Sequence, residues 1–186
     1  IVASVLGHEG NGSLLSKLKQ EGLALGLSAG ADYGHPDFST FDISVDLTRK
    51  GEKNYTRVLD IIFAYIEMLK RKDFQEYTFT EAQTMAQINF DWQDPREGMR
   101  YVSHLVANMQ DYKLTDVETL PYLFRKYDPE ANRAVLRTLT PENMLVVLQA
   151  REVETDRKTK FFETEYSVAH QGGNAFQRLK NPVKVF

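Results

Sequence analysis

Apolar positions change period several times along this chain, and each change marks an element. Leu14, Leu15 and Leu18 recur as one face of a short helix behind Ser13, and Gly22 stands where a C′ glycine ends such a helix. Ile1 to Leu6, ahead of a glycine-rich bend at Gly7, Gly10 and Gly12, reads as the last turns of another helix. Beyond Gly22 the period drops to two. Leu23, Leu25, Leu27 and Ala29 alternate with smaller residues, which predicts a strand over 23–29. Phe41, Ile43, Val45 and Leu47 alternate with Asp42, Ser44 and Asp46, which predicts a second, half-buried strand with one solvated face. The short polar link from Asp32 through Tyr33, Gly34, His35 and Pro36 to Asp37 is turn chemistry, so the two strands form an antiparallel hairpin.

From Tyr55 the period becomes helical. Val58, Ile61, Ile62, Tyr65, Ile66 and Leu69 share one face, and Lys70, Arg71 and Lys72 complement the dipole at the C-terminal end. Thr78 and Glu81 fit a capping box and start a second helix that runs to about Asp91, before Asp94 and Pro95 break it. Met99, Val102, Leu105, Val106 and Met109 mark a third. Leu120 and Pro121 interrupt the pattern, and Tyr122, Leu123 and Phe124 form a short apolar patch. Asp128 and Pro129 are N-cap and N1 types for a helix carrying Ala134, Val135 and Leu139. Thr140 to Asn143 is a turn. The unbroken apolar run 144–150 reads as a strand buried on both faces. Residues 151–160 are charged and solvated, Glu165 to Val168 is a short extended piece, and Gly172 and Gly173 open a tail to Phe186. The order strand, strand, helices, strand gives an α+β domain with helices packed on one face of a mainly antiparallel sheet. It is read as a single domain over 1–186, with a charged connector and C-terminal extension in 151–186.

Composition narrows the function more than the fold. At 186 residues the chain can bury a core without staples. A net charge of −3 leaves no electrostatic footprint for nucleic acid or anionic lipid. No apolar run is long enough to span a bilayer, and the first residues lack a charged n-region. There is no cysteine, which excludes disulfides and thiolate chemistry. That composition fits the periplasm if the source is a Gram-negative bacterium, and the cytoplasm otherwise. The apolar opening at Ile1, without methionine, suggests a segment of something longer.

His8 and Glu9 are the first candidates for chemistry. A zinc peptidase needs two histidines on one helical face with a glutamate base, as in H-E-x-x-H or H-x-x-E-H. Gly10, Asn11, Gly12 and Ser13 follow instead, and His35, His104 and His170 lie too far along the chain to complete a local motif. No metal site and no catalytic residue is assigned. Gly10 and Gly12 lack the strand and third glycine of a dinucleotide fingerprint, and Ser13 lacks the elbow of a hydrolase nucleophile. Asp42 and Asp46 read as solubilising charges on the strand's wet face. Phe90, Trp92, Tyr101 and Tyr112 read as core and helix packing rather than a base-stacking platform.

The ordered run GHEGNGSLLSKLKQEGLA from Gly7, together with Ile43-Ser44-Val45-Asp46-Leu47-Thr48, Gly51 and Thr140-Pro141-Glu142-Asn143, resembles the second domain of the pitrilysin and insulin-degrading-enzyme family of zinc peptidases. The resemblance covers nearly the whole chain. It implies a pitrilysin-type metallohydrolase-like fold and a place in a larger multidomain zinc metalloendopeptidase whose zinc site lies in the first domain. This segment would then bind no zinc and be inactive alone. It further implies that Gly7 and Glu9 hold the amino terminus of a peptide substrate. The backbone edge at Leu27, Ser28 and Ala29 would pair with the substrate's first residues by strand addition. The chain departs from the insulin-degrading type, which has Leu-Val-Gly-Gly at Leu27 to Gly30 and histidine at Ser4, so the anchor is expected to be weaker or differently selective.

The implied partners are peptide substrates and the other domains of the parent chain, with neither nucleic acid nor membrane. In the family, sheet strands precede the position of Ile1, so an isolated segment would expose an edge or core face and favour a homodimer. A rival reading remains: the parent is a catalytically inactive homologue serving as a structural or peptide-binding protein.

Overall fold

A computed structural model describes residues 1–32, 37–72, 76–94, 97–170 and 172–186. The turn expected at Asp32 to Asp37 lies mostly outside the described residues, as does the Pro95 break. The backbone clusters into two compact units. One joins Val2–Lys72 to Arg133–Phe186, and the other is built from Asp73–Asn132.

The first unit begins with helix α1 (Val2–Leu6), the glycine bend, and helix α2 (Leu14–Gln20). Ser13 caps α2 by accepting from Ser16 N–H at 3.1 Å. Leu14, Leu15 and Leu18 are all buried. Gly22, at φ 68°, ends the helix in a Schellman turn. Leu23 N–H reaches Leu18 O at 2.9 Å and Gly22 N–H reaches Lys19 O at 2.9 Å, so the last carbonyls keep their partners.

Strand β1 (Ala24–Asp32) pairs antiparallel with β2 (Thr40–Leu47) in the expected hairpin. β2 alternates as expected, with Phe41, Ile43, Val45 and Leu47 turned inward and half-buried. β1 does not alternate cleanly. The register shifts between Ala24 and Gly26, and this bulge at Leu25 moves later residues to the opposite phase. Leu23, Ala24 and Leu27 are buried, while Leu25 is 68% exposed.

Helix α3 (Arg49–Lys53), absent from the sequence pattern, follows β2, and α4 (Tyr55–Arg71) is the long helix expected from the 3.6-residue period. Ile61 and Ile66 on α4 and Leu6, Leu14, Leu15, Leu18 and Leu23 are among the most deeply buried side chains. α1 and α2 pack on β1, α3 on β2, and α2 and α3 on α4.

Later in this unit two expectations give way. Residues 144–150 make no strand among the described residues. Met144 has extended dihedrals (φ −108°, ψ 133°), yet Leu145 and Val147 are 88% and 81% exposed. A run apolar on both faces needs covering on both faces, and within this unit only alternate residues find any. Arg157–Lys158 (β3) and Glu165–Tyr166 (β4) form a small hairpin, while 151–160 is largely exposed and 165–166 extended as expected. The expected tail contains helix α8 (Gly173–Lys180), which packs on α4. Lys180 reaches Glu142 Oε1 at 2.6 Å from α8 to the 3-10 turn Pro141–Asn143, and Phe186 meets the Tyr65 ring edge-on at 4.8 Å.

The second unit contains α5 (Glu76–Asp91) and α6 (Gly98–Asn108). α5 starts before the expected capping box, so Thr78 lies inside the helix. Thr80 there donates to Glu76 O, the back-bond of an interior threonine. The apolar stripe of α6 is present, but Met99, Val102, Val106 and Met109 are exposed and no α6 residue is fully buried. Trp92, Tyr101 and Tyr112 are exposed too, Trp92 at 84%, so they are not the core residues their type suggests. α7 (Pro129–Thr138) runs from this unit into the other. Asp128 caps it by accepting from Ala131 N–H at 2.9 Å, and Leu136 rather than Val135 is its buried residue.

Candidate functional site

The bend after α1 carries Gly7, His8 and Glu9, and α1 packs on β1, which carries Leu27, Ser28 and Ala29. The fold therefore brings together residues some twenty positions apart. A Cβ placed on Gly7 would lie 3.5 Å from Ala29 N, 3.8 Å from Ala29 Cβ and 3.1 Å from Ala3 O. Glycine leaves the bend in backbone contact with the strand, where a larger residue would cover it. Ser28 is exposed and Ala29 half-buried, while the Leu27 side chain is committed to the core, so only its backbone can face a ligand. β1 pairs with β2 alone among the described residues.

Glu9 is exposed, and no hydrogen bond or ion pair engages it among the described residues. Its neighbour is occupied: His8 Nδ1 accepts from Gly10 N–H at 3.0 Å. That bond turns the histidine into a brace for its own bend. Among the described residues no three His, Cys, Asp or Glu side chains gather closely enough to hold a metal ion. One ring nitrogen of His8 is thus engaged within its own bend. His35 lies outside the described residues.

Sequence reasoning missed the frame under this site. Thr48 caps α3 by accepting from Gly51 N–H at 3.0 Å, donates its hydroxyl to Gly22 O at 2.7 Å, and sends its own N–H to Leu23 O at 3.0 Å. Gly51 lies so close to the start of β1 that an added Cβ would overlap Leu23 O. Glu21 then ties α2 to α4. Arg57 donates through Nε at 3.0 Å and Nη2 at 2.8 Å to its two carboxylate oxygens. The fork of hydrogen bonds from Arg57 holds the Glu21 carboxyl below the usual carboxylate range, against the opposing effect of burial and with help from Lys17. Leu47, Thr48 and Gly51 were visible as part of a motif, but their reason is the tertiary contact with Gly22 and Leu23.

Residues 1–86 match the family domain described as "Peptidase M16 inactive domain", and residues 90–184 match the "Middle or third domain of peptidase M16". The chain belongs to the peptidase M16 family. It is 30% identical over 179 residues to insulin-degrading enzyme of Drosophila melanogaster, covering 95% of this chain and 18% of that protein. It is 34% identical over 183 residues to A-factor-processing enzyme of Saccharomyces cerevisiae (98% and 18%), and 32% identical over 173 residues to human nardilysin (90% and 15%). The chain thus spans less than a fifth of these M16 relatives. The crystal structure of pitrilysin superposes with a TM-score of 0.88 at 24% identity, over 97% of this chain and 19% of that one, and shares the α+β fold. The chain is non-catalytic M16 sequence of the insulinase and pitrilysin type.

Proposed function

We propose that this chain forms chamber wall in a zinc metalloendopeptidase and anchors the amino terminus of a peptide substrate. The observation that supports this reading is the closeness of Gly7, two residues before the exposed Glu9, to Ala29 on β1, which pairs with β2 alone among the described residues. A peptide's α-amino group is cationic below its pKa of about 8 and pairs with a carboxylate. Main-chain groups of residues 27–29 would hold the next residues, a mode that asks only for an open edge and small side chains such as Ser28 and Ala29. One relative is named for degrading insulin, a polypeptide, which accords with a peptide substrate. Zinc chemistry belongs to residues elsewhere in the complete protein.

Anchoring remote from the reacting bond sets affinity and register. Glu9→Ala in the complete protein should therefore raise KM about five- to tenfold and leave kcat within about twofold, measured on a quenched peptide with a free amino terminus. Acetylating that terminus should reproduce the loss in wild type and add nothing to the variant. A reduced kcat at unchanged KM would overturn the anchoring role. A complete protein that binds the peptide but never cleaves it, with zinc supplied, would favour the structural or peptide-binding reading.

A further inference from the structure

The Asp73–Asn132 unit contains a cavity of about 130 Å³ that the anchoring role does not use. That volume is well above what one water needs. Tyr122 lines it, with the Phe90 ring at 6.0 Å and the His104 ring at 6.0 Å between centroids. Tyr101, Asn108 and Glu118 complete the polar part of the wall. Among the described lining residues Glu118 supplies the one carboxylate, and none is a lysine or arginine.

The polar groups of this wall hold one another in place. Tyr101 donates its hydroxyl to Glu118 Oε1 at 2.5 Å, which holds that carboxylate in place. Asn108 Nδ2 donates to Val117 O at 3.4 Å and lies 3.2 Å from His104 Nε2, so the amide presents N–H groups to both. The Tyr122 hydroxyl meets the same nitrogen at close range. The wall therefore presents aromatic rings, an imidazole and one carboxylate.

From this geometry we infer that the cavity is a binding site for a primary alkylammonium group, as carried by a lysine side chain of a peptide or by a free alkylamine. Aromatic faces attract a cation through their quadrupoles, and the carboxylate of Glu118 supplies a charge-assisted hydrogen bond. An anion would meet Glu118, and a neutral alcohol would forfeit both attractions. The site lies among residues 90–122, and it stands whether or not the Glu9 anchor does.

Saturation-transfer NMR on the complete protein tests this with n-butylammonium as the probe and 1-pentanol as its neutral counterpart of similar size. A blocked Gly-Lys-Gly peptide distinguishes the two sources of the group: tighter binding than n-butylammonium assigns the pocket to peptide lysine, and weaker binding assigns it to free amines. Wild type should bind n-butylammonium saturably and at least tenfold more tightly than 1-pentanol. Glu118→Gln, at an exposed position that leaves the fold intact, should weaken the ammonium about tenfold and leave 1-pentanol unchanged. Tyr101→Phe keeps the ring but frees the carboxylate, and should cost a smaller factor of about three. Equal binding of 1-pentanol, absence of saturable ammonium binding, or an unaffected Glu118→Gln variant would each overturn the assignment.

Discussion

Thr48 makes three contacts from one residue: a helix cap, a hydroxyl bond to Gly22 O and a backbone bond to Leu23 O. Thr48→Ala removes the first two, worth about 1 kcal/mol each, so urea unfolding should report a loss of about 2 kcal/mol. Gly51→Ala should cost more, about 3 kcal/mol, because the new methyl group meets backbone at Leu23 rather than a side chain that can swing away. The Glu21–Arg57 pair predicts a pH effect. Its folded-state pKa lies below the unfolded value, so the folded chain binds fewer protons between the two. The pair's contribution is complete above the ordinary carboxylate range, declines as pH falls through the lowered folded value, and is absent below it. Arg57 is 41% exposed, so solvent screening limits the contribution to at most about 1 kcal/mol. Arg57→Met should lower stability at pH 7 by no more than that and flatten the acid side of the stability profile.

At the scale of elements, period was a good guide wherever a single helix or strand decides its own burial. The α2 leucines, the α4 face and the alternation of β2 all follow from local geometry, and so do the Ser13 and Asp128 caps. Period failed where pairing intervenes. The bulge at Leu25 is a property of two strands in register, so no reading of β1 alone could place Leu25 outside and Ala24 inside. α3 escaped notice because five residues, RKGEK, show no apolar face; a cap and a close glycine contact hold it instead. α6 shows the reverse case: its stripe was legible, but a stripe says that a face wants covering, not what covers it.

For the whole molecule, residues 144–150 carry the same lesson with a consequence. Leu145 and Val147 stand exposed in a segment that pairs with no strand among the described residues. Such a surface is a template for association. The isolated 186-residue chain should sediment as a dimer or larger species, and Leu145→Lys with Val147→Lys should shift it toward monomer; monomeric wild type at high concentration would refute this. The sequence by itself determined the α+β class, the hairpin, the main helices, the family and the absence of thiol chemistry, because local period, capping chemistry and an ordered motif are written in neighbouring residues. It also named Gly7, Glu9 and residues 27–29 through a resemblance. Tertiary structure alone decided that Gly7 touches Ala29, that Thr48 and Gly51 brace the start of β1, and that Phe90, Tyr101, His104, Glu118 and Tyr122 surround one cavity. Those contacts join residues 22 to 28 positions apart, or gather aromatic residues whose type suggests only packing. Their energy depends on distances in space that sequence spacing does not encode.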